Sequence, residues 1–383
     1  MSDDHGAVLI AAQSGRALAQ AARRAGLVPL VLDLFGDADT LALASQHRSA
    51  KGRFGAGRLG GEQCLDEIEA LAKLSDRPIL GIVLGSGFED APDLIAAIAT
   101  RHRILGAPAE AVAALKNPMR FAALCGRLRI PHPAVTRDPV RDRRGWLLKR
   151  DGGSGGSHVR AATAGKAPPG AYFQQRVAGS AHALSFLADG RNLSVVGITA
   201  QWSDPSPIRP YRYGGAVEEA RDAPPLLATS VVEAMTRAAR AIVAETGLRG
   251  LASADILVEG ESWWLTEINP RPGATLDVLD RRARPLLSAH IAASLGTLVT
   301  LDPPPMDAAA AQICYATTNY APVPSLCWPE HVRDRPRAGS SVARGAPLCT
   351  IVATGRDADA ARTTLRERAE RLRARLDIEG TQR

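Results

Sequence analysis

The stretch from Leu265 to Gly273, LTEINPRPG, constrains the fold of this 383-residue chain more than any other. It follows the apolar run ILVEGESWWL, in which residues 259–262 (EGES) predict a tight turn between two strands. Side chains alternate between the two faces of a strand, so Glu267 and Asn269 point the same way. Asp255 on the paired strand joins them. We therefore expect a β-hairpin with three oxygen-bearing side chains at one end.

Two interpretations of that hairpin end are open. Asp255, Glu267 and Asn269 form a cluster of hard oxygen ligands of the kind that holds Mg²⁺ against phosphate oxygens. Arg271 follows directly, and its planar guanidinium suits a phosphate or an acyl phosphate. The alternative is an ordinary hairpin whose Glu and Asn side chains are solvated. The E-x-N motif alone does not decide between them.

Length and composition predict a globular protein of two or three domains. The chain is 45% hydrophobic and 23% charged, and no apolar run approaches the roughly 20 residues that span a bilayer, so no membrane partner is expected. The N-terminus, MSDDHGAVLIAA, lacks the basic region and the longer apolar core of a signal peptide, which predicts a cytoplasmic protein.

Cysteines and charge exclude further classes. The five cysteines are odd in number and far apart, which argues against a disulfide framework or a zinc site and favours buried free thiols. The net charge of +7 comes from arginines spread along the chain, not from one patch interleaved with aromatic residues. Anionic small-molecule substrates explain this charge as well as nucleic acid does, and nucleic acid is not expected as a partner.

The first hundred residues predict a small parallel α/β domain. Apolar strands are expected at residues 7–12, 27–36 and 78–85, with helical segments between them. The turn after the first strand, QSGR, has one glycine and lacks the dinucleotide fingerprint. The glycine-rich segment 85–90, GSGFED, would lie at the carboxyl end of its strand and is a candidate substrate loop.

Residues 146–159, WLLKRDGGSGGSHV, predict a strand that ends in Lys149, a glycine-rich loop and a returning strand. Backbone N–H groups of such a loop can approach an anion closely, and Lys149 could pair with phosphates. A flexible linker is the alternative, which the short hairpin-like loop makes less favourable. Lys116, at the junction of two predicted helices, is either a solvated loop residue or a second phosphate contact. The loop residues are Gly152, Gly153, Ser154, Gly155 and Gly156.

Two further segments suggest ligand contacts. Residues 171–190 predict two strands joined by a bend at Gly179, which suits the wall of an adenine site. The expected contacts to the base and the ribose are Gln175, Arg176, Val177 and His182, although a lone histidine is more often structural. In the loop 203–215, Arg209 and Arg212 are candidates to hold a substrate carboxylate.

The C-terminal part begins after the proline run at residues 302–305, a predicted linker. Two strand-like runs follow, and residues 357–376 predict an amphipathic basic helix. Its apolar spacing favours a solvated arginine face over a nucleic-acid stripe.

In order and spacing, these motifs resemble the ATP-grasp superfamily of carboxylate-amine ligases. The resemblance covers most of the chain and rests on the segment LGAPAEAV…K…RF…IPHP, the strand lysine with its glycine loop, the QQRVAG hinge, and Asp255 with LTEINPRPG. The chain departs from the commonest pattern at Gln175 and His182, where many relatives carry glutamate.

The resemblance implies a fold and its domains. The fold class is α/β, with α+β grasp domains: a small parallel-sheet pre-ATP-grasp domain at 1–108, a two-lobed ATP-grasp fold at 109–301 with its lid lobe at about 135–180, and a small β-rich segment with a terminal helix at 302–383.

The resemblance also implies roles. Lys116 and Lys149 would contact the nucleotide phosphates, and the loop from Gly152 to Gly156 would cover them. Asp255, Glu267 and Asn269 would bind magnesium, with two ions expected and manganese as a substitute. Arg271 would lie beside the transferred phosphoryl group and contact substrate; Arg271 and Lys149 are the expected catalytic residues.

The implied activity is ATP-dependent amide formation from a small carboxylate and an amine through an acyl phosphate, releasing ADP and phosphate. The carboxylate could be an amino acid such as glutamate, in one-carbon cofactor synthesis of the methanofuran or tetrahydromethanopterin type. A purine-biosynthesis-type ligase, a dipeptide-forming ligase and a non-catalytic ATP-binding regulatory module are the alternatives. A homodimer is left open.

Overall fold

The computed structural model describes residues 6–55 and 57–381. Its N-terminal part contains a four-stranded parallel sheet in the order β3-β2-β1-β4. The strands are β1 Ala7–Ala11, β2 Val28–Asp33, β3 Gln46–Ser49 and β4 Ile79–Leu84, and the helices are α1 Arg16–Arg24, α2 Ala38–Leu43, α3 Cys64–Ala72 and α4 Pro92–Ala99. Three strands were expected; the fourth, β3, is a polar edge strand, QHRS, without the apolar run that marks the others.

Two helices lead from this sheet into the middle of the chain: α5 Ala109–Lys116 and α6 Pro118–Arg127. Asn117 ends the first and caps the second, since its side chain accepts hydrogen bonds from the backbone N–H groups of Met119 and Arg120, both at 3.1 Å. Pro118 at the first helical position suits this start. Lys116 is thereby placed on the last turn of α5, at the junction.

A small antiparallel sheet follows in the order β5-β8-β6-β7. Its strands are β5 Val135–Thr136, β6 Trp146–Arg150, β7 Arg160–Ala161 and β8 Ala171–Gln175. The glycine-rich loop connects β6 to β7, as the sequence predicts. This sheet lies within the segment expected to form the lid.

The third sheet has eight strands in the order β13-β12-β9-β10-β11-β14-β16-β15, and all its pairs are antiparallel. Its strands are β9 Ser180–Asp189, β10 Leu193–Ser203, β11 Tyr213–Glu218, β12 Arg249–Glu259, β13 Ser262–Asn269, β14 Ala308–Tyr315, β15 Val332–Arg333 and β16 Pro347–Gly355. The strands after residue 302 therefore continue the sheet that carries the hairpin. The accompanying helices are α7 Thr229–Thr246, α8 Leu276–Leu279, α9 Leu286–Ser294 and α10 Ala358–Thr381.

Burial agrees with most of the sequence patterns. The apolar residues of α10, Leu365, Ala369, Leu372 and Leu376, are all buried. Most of its arginines are exposed, but Arg368 and Arg373 are half-buried, and Arg368 donates to the carbonyl oxygen of Val352. Four of the five free cysteines are buried, but the prediction was wrong for Cys327, which is exposed. No helix in the described part of the chain is long and apolar enough to cross a membrane.

Candidate active site

The hairpin of β12 and β13 brings the three expected metal ligands to one end. Asp255 pairs with Glu267, and Ser253 pairs with Asn269, in antiparallel register. The register shifts between Asp255 and Ile256, and such bulges commonly re-aim a side chain next to a functional site. Asn269 Nδ2 donates a hydrogen bond to Asp255 Oδ2 at 2.9 Å. The three side chains therefore form one contiguous polar cluster.

Lys116 lies against this cluster, although it is about 150 residues away in sequence. Its Nζ donates to Glu267 Oε2 at 3.2 Å, to Asn269 Oδ1 at 3.3 Å and to the carbonyl oxygen of Ile268 at 3.5 Å. The lysine side chain is almost fully buried. Because a buried charge needs a partner, the ammonium and the Glu267 carboxylate neutralise each other.

The two carboxylates titrate in opposite directions. Burial raises the pKa of Asp255, and the adjacent negative charge of Glu267 adds to that shift. For Glu267 burial also opposes ionisation, but the charges of Lys116 and Lys149 hold its pKa well below the usual range. Two buried carboxylates that cannot both ionise freely make a site that a cation would relieve.

This donor set fits a magnesium ion. Mg²⁺ binds oxygen ligands, usually one or two carboxylates together with substrate phosphates and water. Within residues 6–55 and 57–381, no group of three or more His, Cys, Asp or Glu side chains is placed to hold a metal. Asn269 would therefore supply the third oxygen beside Asp255 and Glu267, and Lys116 would move from the carboxylate towards the phosphates.

Lys149 reaches the same region from β6. It is buried, and its Nζ donates to Gln174 Oε1 at 3.2 Å. Burial opposes its charge, but Tyr172, Glu267 and Asp255 hold the pKa of Lys149 above its ordinary value. The ammonium is thus charged at neutral pH and ready to meet an anion.

The glycine loop is packed closely against its surroundings. A Cβ on Gly156, which has φ of 66°, would lie 1.8 Å from the carbonyl oxygen of Tyr211, so only glycine fits there. Gly155 accepts a backbone hydrogen bond from Tyr213 at 2.8 Å. A Cβ on Gly152 would collide with the backbone of Asp90 in the N-terminal part. The loop therefore closes over the site and touches both flanking regions, which argues against a free linker.

Arg271 is held by a residue that sequence analysis placed only in a candidate loop. Its Nε donates to Glu89 Oε1 at 2.9 Å, and Glu89 also accepts the backbone N–H groups of Gly87 and Phe88 at 2.6 and 3.0 Å. Burial opposes ionisation of Glu89, but Arg271 and Lys116 keep its pKa below the ordinary value. Glu89 thus fixes the orientation of the Arg271 guanidinium.

These groups line one chamber of about 430 Å³, the size of a small-molecule site. Its walls come from the N-terminal loops, the glycine loop, the hairpin and the C-terminal strands. Expected site residues on its wall are Lys149, Ser154, Gly155, Gly156, His182, Asp255, Glu267, Asn269 and Arg271. Lys116, Gly152 and Gly153 line a small adjoining cavity that shares Glu267 with it.

The expected adenine contacts are only partly at the chamber. His182 lines it, is buried, and has its Nδ1 3.2 Å from the carbonyl oxygen of Ser180; burial lowers its pKa. Gln175, Arg176 and Val177 do not line it. The backbone N–H of Gln175 donates to Ala134 at 2.8 Å, and that of Arg176 donates to Gly145 at 2.8 Å.

Gln174 takes the inward position instead. It is buried, bonds Lys149, and its Nε2 donates to the carbonyl oxygen of Thr266 at 3.4 Å. Side chains on β8 alternate, so its neighbour Gln175 faces outwards and is exposed. The strand period and the pairing of β8 with β6 would have identified Gln174.

The two substrate-loop arginines have different surroundings. Arg212 is buried, with Nε donating to the carbonyl oxygen of Asp204 at 2.5 Å and Nη2 lying 3.2 Å from Asp204 Oδ2. Its guanidinium also stacks 3.7 Å from the ring centre of Tyr315. Arg212 is therefore engaged within the protein. Arg209 lies beside a second cavity that is also lined by Lys149 and His158.

His158 is a further residue that sequence reasoning missed. Its ring packs under Gly153, and Nδ1 lies 3.4 Å from the carbonyl oxygen of Ser154. Burial lowers its pKa to about 4, and the charge of Lys149 contributes. The imidazole is neutral at physiological pH and supports the glycine loop from inside the chamber.

Comparison with known proteins agrees with this geometry. Residues 120–275 match the family model described as the ATP-grasp domain. A 2-oxoglutarate carboxylase biotin carboxylase domain dimer from Hydrogenobacter thermophilus, in complex with MgADP, ADP and bicarbonate, is similar in structure with a TM-score of 0.66. It shares 12% identity over 90% of this chain and 85% of that chain.

Two carboxyaminoimidazole ribonucleotide synthetases are also similar. That of Thermotoga maritima has a TM-score of 0.65 and 13% identity, covering 95% of this chain and 98% of that chain. That of Aspergillus clavatus, complexed with ATP, has a TM-score of 0.67 and 14% identity, covering 97% and 100%. No curated protein matches. The resemblance and the mixed α/β fold class are thus confirmed: the chain contains an ATP-grasp domain and has the fold shared by biotin carboxylases and carboxyaminoimidazole ribonucleotide synthetases.

Proposed function

We propose that this protein is an ATP-dependent carboxylate-amine ligase that forms a carbon–nitrogen bond through an acyl phosphate. The observation that carries the proposal is a convergence of side chains from four separate elements at the chamber under the glycine loop and the small cavity that adjoins it. They are Lys116, Lys149, Asp255, Glu267 and Asn269. Lysine cations beside a cluster of hard oxygen ligands suit a nucleoside triphosphate and its magnesium ion.

The residues have distinct tasks. Lys149 and Lys116 would bind the phosphates, and the backbone of Ser154 to Gly156 would exclude water above them. Asp255, Glu267 and Asn269 would hold magnesium, with a second ion proposed, and manganese could replace it. When bound, magnesium neutralises charge on the phosphate oxygens. Arg271, oriented by Glu89, would stabilise the phosphoryl group as it is transferred.

The reaction then needs no protein nucleophile. A carboxylate oxygen of the substrate attacks the γ-phosphorus, the bond to the β-phosphate oxygen breaks, and ADP leaves. The amine nitrogen attacks the carbonyl carbon of the acyl phosphate, and the carbon–oxygen bond to phosphate breaks. The departing phosphate carries away the amine proton. Within this class, the resemblance favours an amino acid such as glutamate, in one-carbon cofactor synthesis of the methanofuran or tetrahydromethanopterin type.

A second candidate is carboxylation of a nitrogen with bicarbonate as the acid. It is favoured by the structural neighbours, one of which is crystallised with bicarbonate and MgADP. The same neighbour is a domain dimer, and we propose a homodimer as the assembly to test. Both candidates use the same phosphates and metal, and they differ only in the acid.

Purified protein with ATP and magnesium tests the proposal. We expect ADP release that depends on both an acid and an amine when panels of amino acids, simple carboxylates, bicarbonate and amines are combined. The Lys149→Met variant should lose this release. Dependence on bicarbonate alone among the acids would select the second candidate. ATP binding without ADP release for any pair would instead favour a non-catalytic module.

A further inference from the structure

The N-terminal end of the chamber is acidic. The loops that follow β1, β2 and β4 meet there at the carboxyl edge of the parallel sheet, where ligands bind in open α/β sheets. Five aspartates gather around a single fully buried guanidinium, that of Arg16. They are Asp33, Asp37, Asp39, Asp277 and Asp334.

Two of these aspartates are satisfied by local partners. Asp33 accepts backbone N–H groups from the loops after β1 and β2, including Gly15 and Gly36 at 2.9 Å each, and contacts His47 Nε2 at 3.0 Å. Asp39 accepts the backbone N–H groups of Asp334 and Arg335, both at 2.9 Å. Neither carboxylate requires a ligand.

Arg16 pairs with two more aspartates, and this uses all of its hydrogen-bond donors but one. Both terminal nitrogens lie 2.5 Å from the Asp277 carboxylate, while Nε and Nη2 reach Asp334 at 3.0 and 3.1 Å. The remaining N–H of Nη1 goes to Gln20 at 3.2 Å. All five guanidinium donors are therefore used, and none is left for another carboxylate.

Asp37 is the aspartate that remains. It is only 7% exposed and lines the chamber, yet no described residue donates a hydrogen bond to its carboxylate or forms an ion pair with it. It stands at the N-terminus of α2, where an aspartate usually caps the helix, but it makes no cap bond. A buried carboxylate without a partner is costly, and the open side of Asp37 faces the chamber.

The surroundings of Asp37 disfavour its ionised form. Burial raises the pKa of Asp37 to about 8, and the charges of Asp334 and Asp33 contribute to the shift. A bound cation would reverse that balance and return the carboxylate to its ionised form.

Two aromatic rings line the same chamber as Asp37. Phe35 and Phe54 lie with ring centres 5.7 Å apart at 55°, and both line the chamber. The loop after Phe54 is fixed by Gln13, whose side chain donates to the carbonyl oxygen of Gly57 and accepts the N–H of Gly55, each at 3.0 Å. Aromatic faces attract organic cations, so the walls add to the attraction of the carboxylate.

We propose that Asp37, with Phe35 and Phe54 on the wall of the same chamber, binds a protonated amino group of the ligase substrate. An alkylammonium fits better than a metal ion, because a metal would need several oxygen ligands and the neighbouring carboxylates are already engaged. The inference rests on the proposed function, and it adds a substrate class. One substrate carries an ammonium group in addition to the group that reacts, because an amine must be neutral to attack the acyl phosphate.

Direct binding tests this without turnover. We would titrate the protein, with ADP and magnesium present, with n-butylammonium and with its neutral counterpart n-butanol, using ligand-detected NMR. We expect n-butylammonium to bind about tenfold more tightly than n-butanol, since a hydrogen bond between charged groups is roughly twice as strong as one between neutral groups. Asp37→Asn should abolish this preference. Asp76→Asn, at an exposed loop position, is the matched control and should retain it.

Phe54→Leu provides a second, independent variant, which should weaken ammonium binding a few-fold and leave n-butanol unchanged. Equal binding of n-butylammonium and n-butanol to the wild type, or an undiminished preference in Asp37→Asn, would overturn the inference. The two proposals can fail separately. Ammonium binding without any ADP release refutes the ligase alone, while ADP release without ammonium preference refutes the Asp37 subsite alone.

Discussion

Substitution of Glu267 by glutamine tests the centre of the proposed site. The change keeps the shape of the side chain and removes one charge that faces Asp255 across the hairpin and lies 3.2 Å from Lys116. Removing one group that stabilises transition-state charge, such as an oxyanion-hole donor, typically costs about 10²–10³-fold in kcat, or roughly 3–4 kcal/mol, and we take the same scale for Glu267. We expect ADP release to fall by at least that much.

The effect on the stability of the nucleotide-free protein is smaller. At 3.2 Å the attraction between Glu267 and Lys116 is about 5 kcal/mol in gross terms at an effective dielectric constant of 20. Most of this is recovered. Lys116 keeps its bonds to Asn269 and Ile268, and Asp255 ionises more readily once the adjacent charge is gone. We therefore expect a net loss of only about 1–3 kcal/mol in the free energy of unfolding.

Two measurements separate these effects. Steady-state ADP release reports the chemistry, and the rise in Tm on adding ATP with magnesium reports binding, since a ligand at a hundredfold excess over Kd stabilises by about 2.7 kcal/mol. Glu261→Gln, at the exposed turn of the same hairpin, is the matched control. If Glu267→Gln keeps ADP release within threefold of this control and shows the same nucleotide-induced rise in Tm, the metal assignment is wrong.

Three further predictions follow from buried charges. Lys149→Met should reduce ADP release at least about a hundredfold, because Lys149 would contact the phosphates, whereas Lys166→Met at an exposed loop should not; equal rates in the two would contradict its role. Arg16→Met strands two half-buried carboxylates and should cost about 3 kcal/mol, the lower end of the range for a broken buried pair, measured by urea unfolding; a loss below 1 kcal/mol would show that they find other partners. Asp37→Asn should have a higher Tm than the wild type, and the difference should grow as the pH rises from 5 to 8.5. The folded-state pKa of about 8 lies above the unfolded value, so the wild type loses stability as pH rises through that window and the variant does not; a pH-independent difference in Tm would refute this.

Functional residues that lie in a recognisable short-range sequence pattern could be predicted from the sequence. Lys149 lies on an apolar strand next to a glycine loop, and Glu267 with Asn269 shows the two-residue period of one strand face. The expected strands and helices around them are present. The prediction at Gln175 was wrong by one residue. Neighbouring residues of a strand face opposite sides, so Gln174 points inwards and Gln175 is exposed.

Residues whose role depends on distant partners could not be assigned in this way. Arg212 was expected to bind substrate because it lies in a loop rich in arginine and tyrosine, but Asp204 and Tyr315 occupy its guanidinium. The ion pairs of Arg16 could not be predicted from the sequence, since its partners Asp277 and Asp334 are 261 and 318 residues away. Which charged side chains are free for a ligand is decided by tertiary contacts that no spacing rule encodes.

The same contacts place groups of opposite charge at the two ends of the chamber. Its hairpin end holds Lys149 and Arg271, with Lys116 in the adjoining cavity, and these cations suit phosphates. Its N-terminal end holds the carboxyl group of Asp37. The overall charge of +7 hides this separation, because salt screens surface arginines over about 10 Å whereas buried groups are screened much less. A substrate with a carboxylate at one end and an ammonium at the other would therefore enter in one orientation, with its reactive carboxylate directed towards the γ-phosphate.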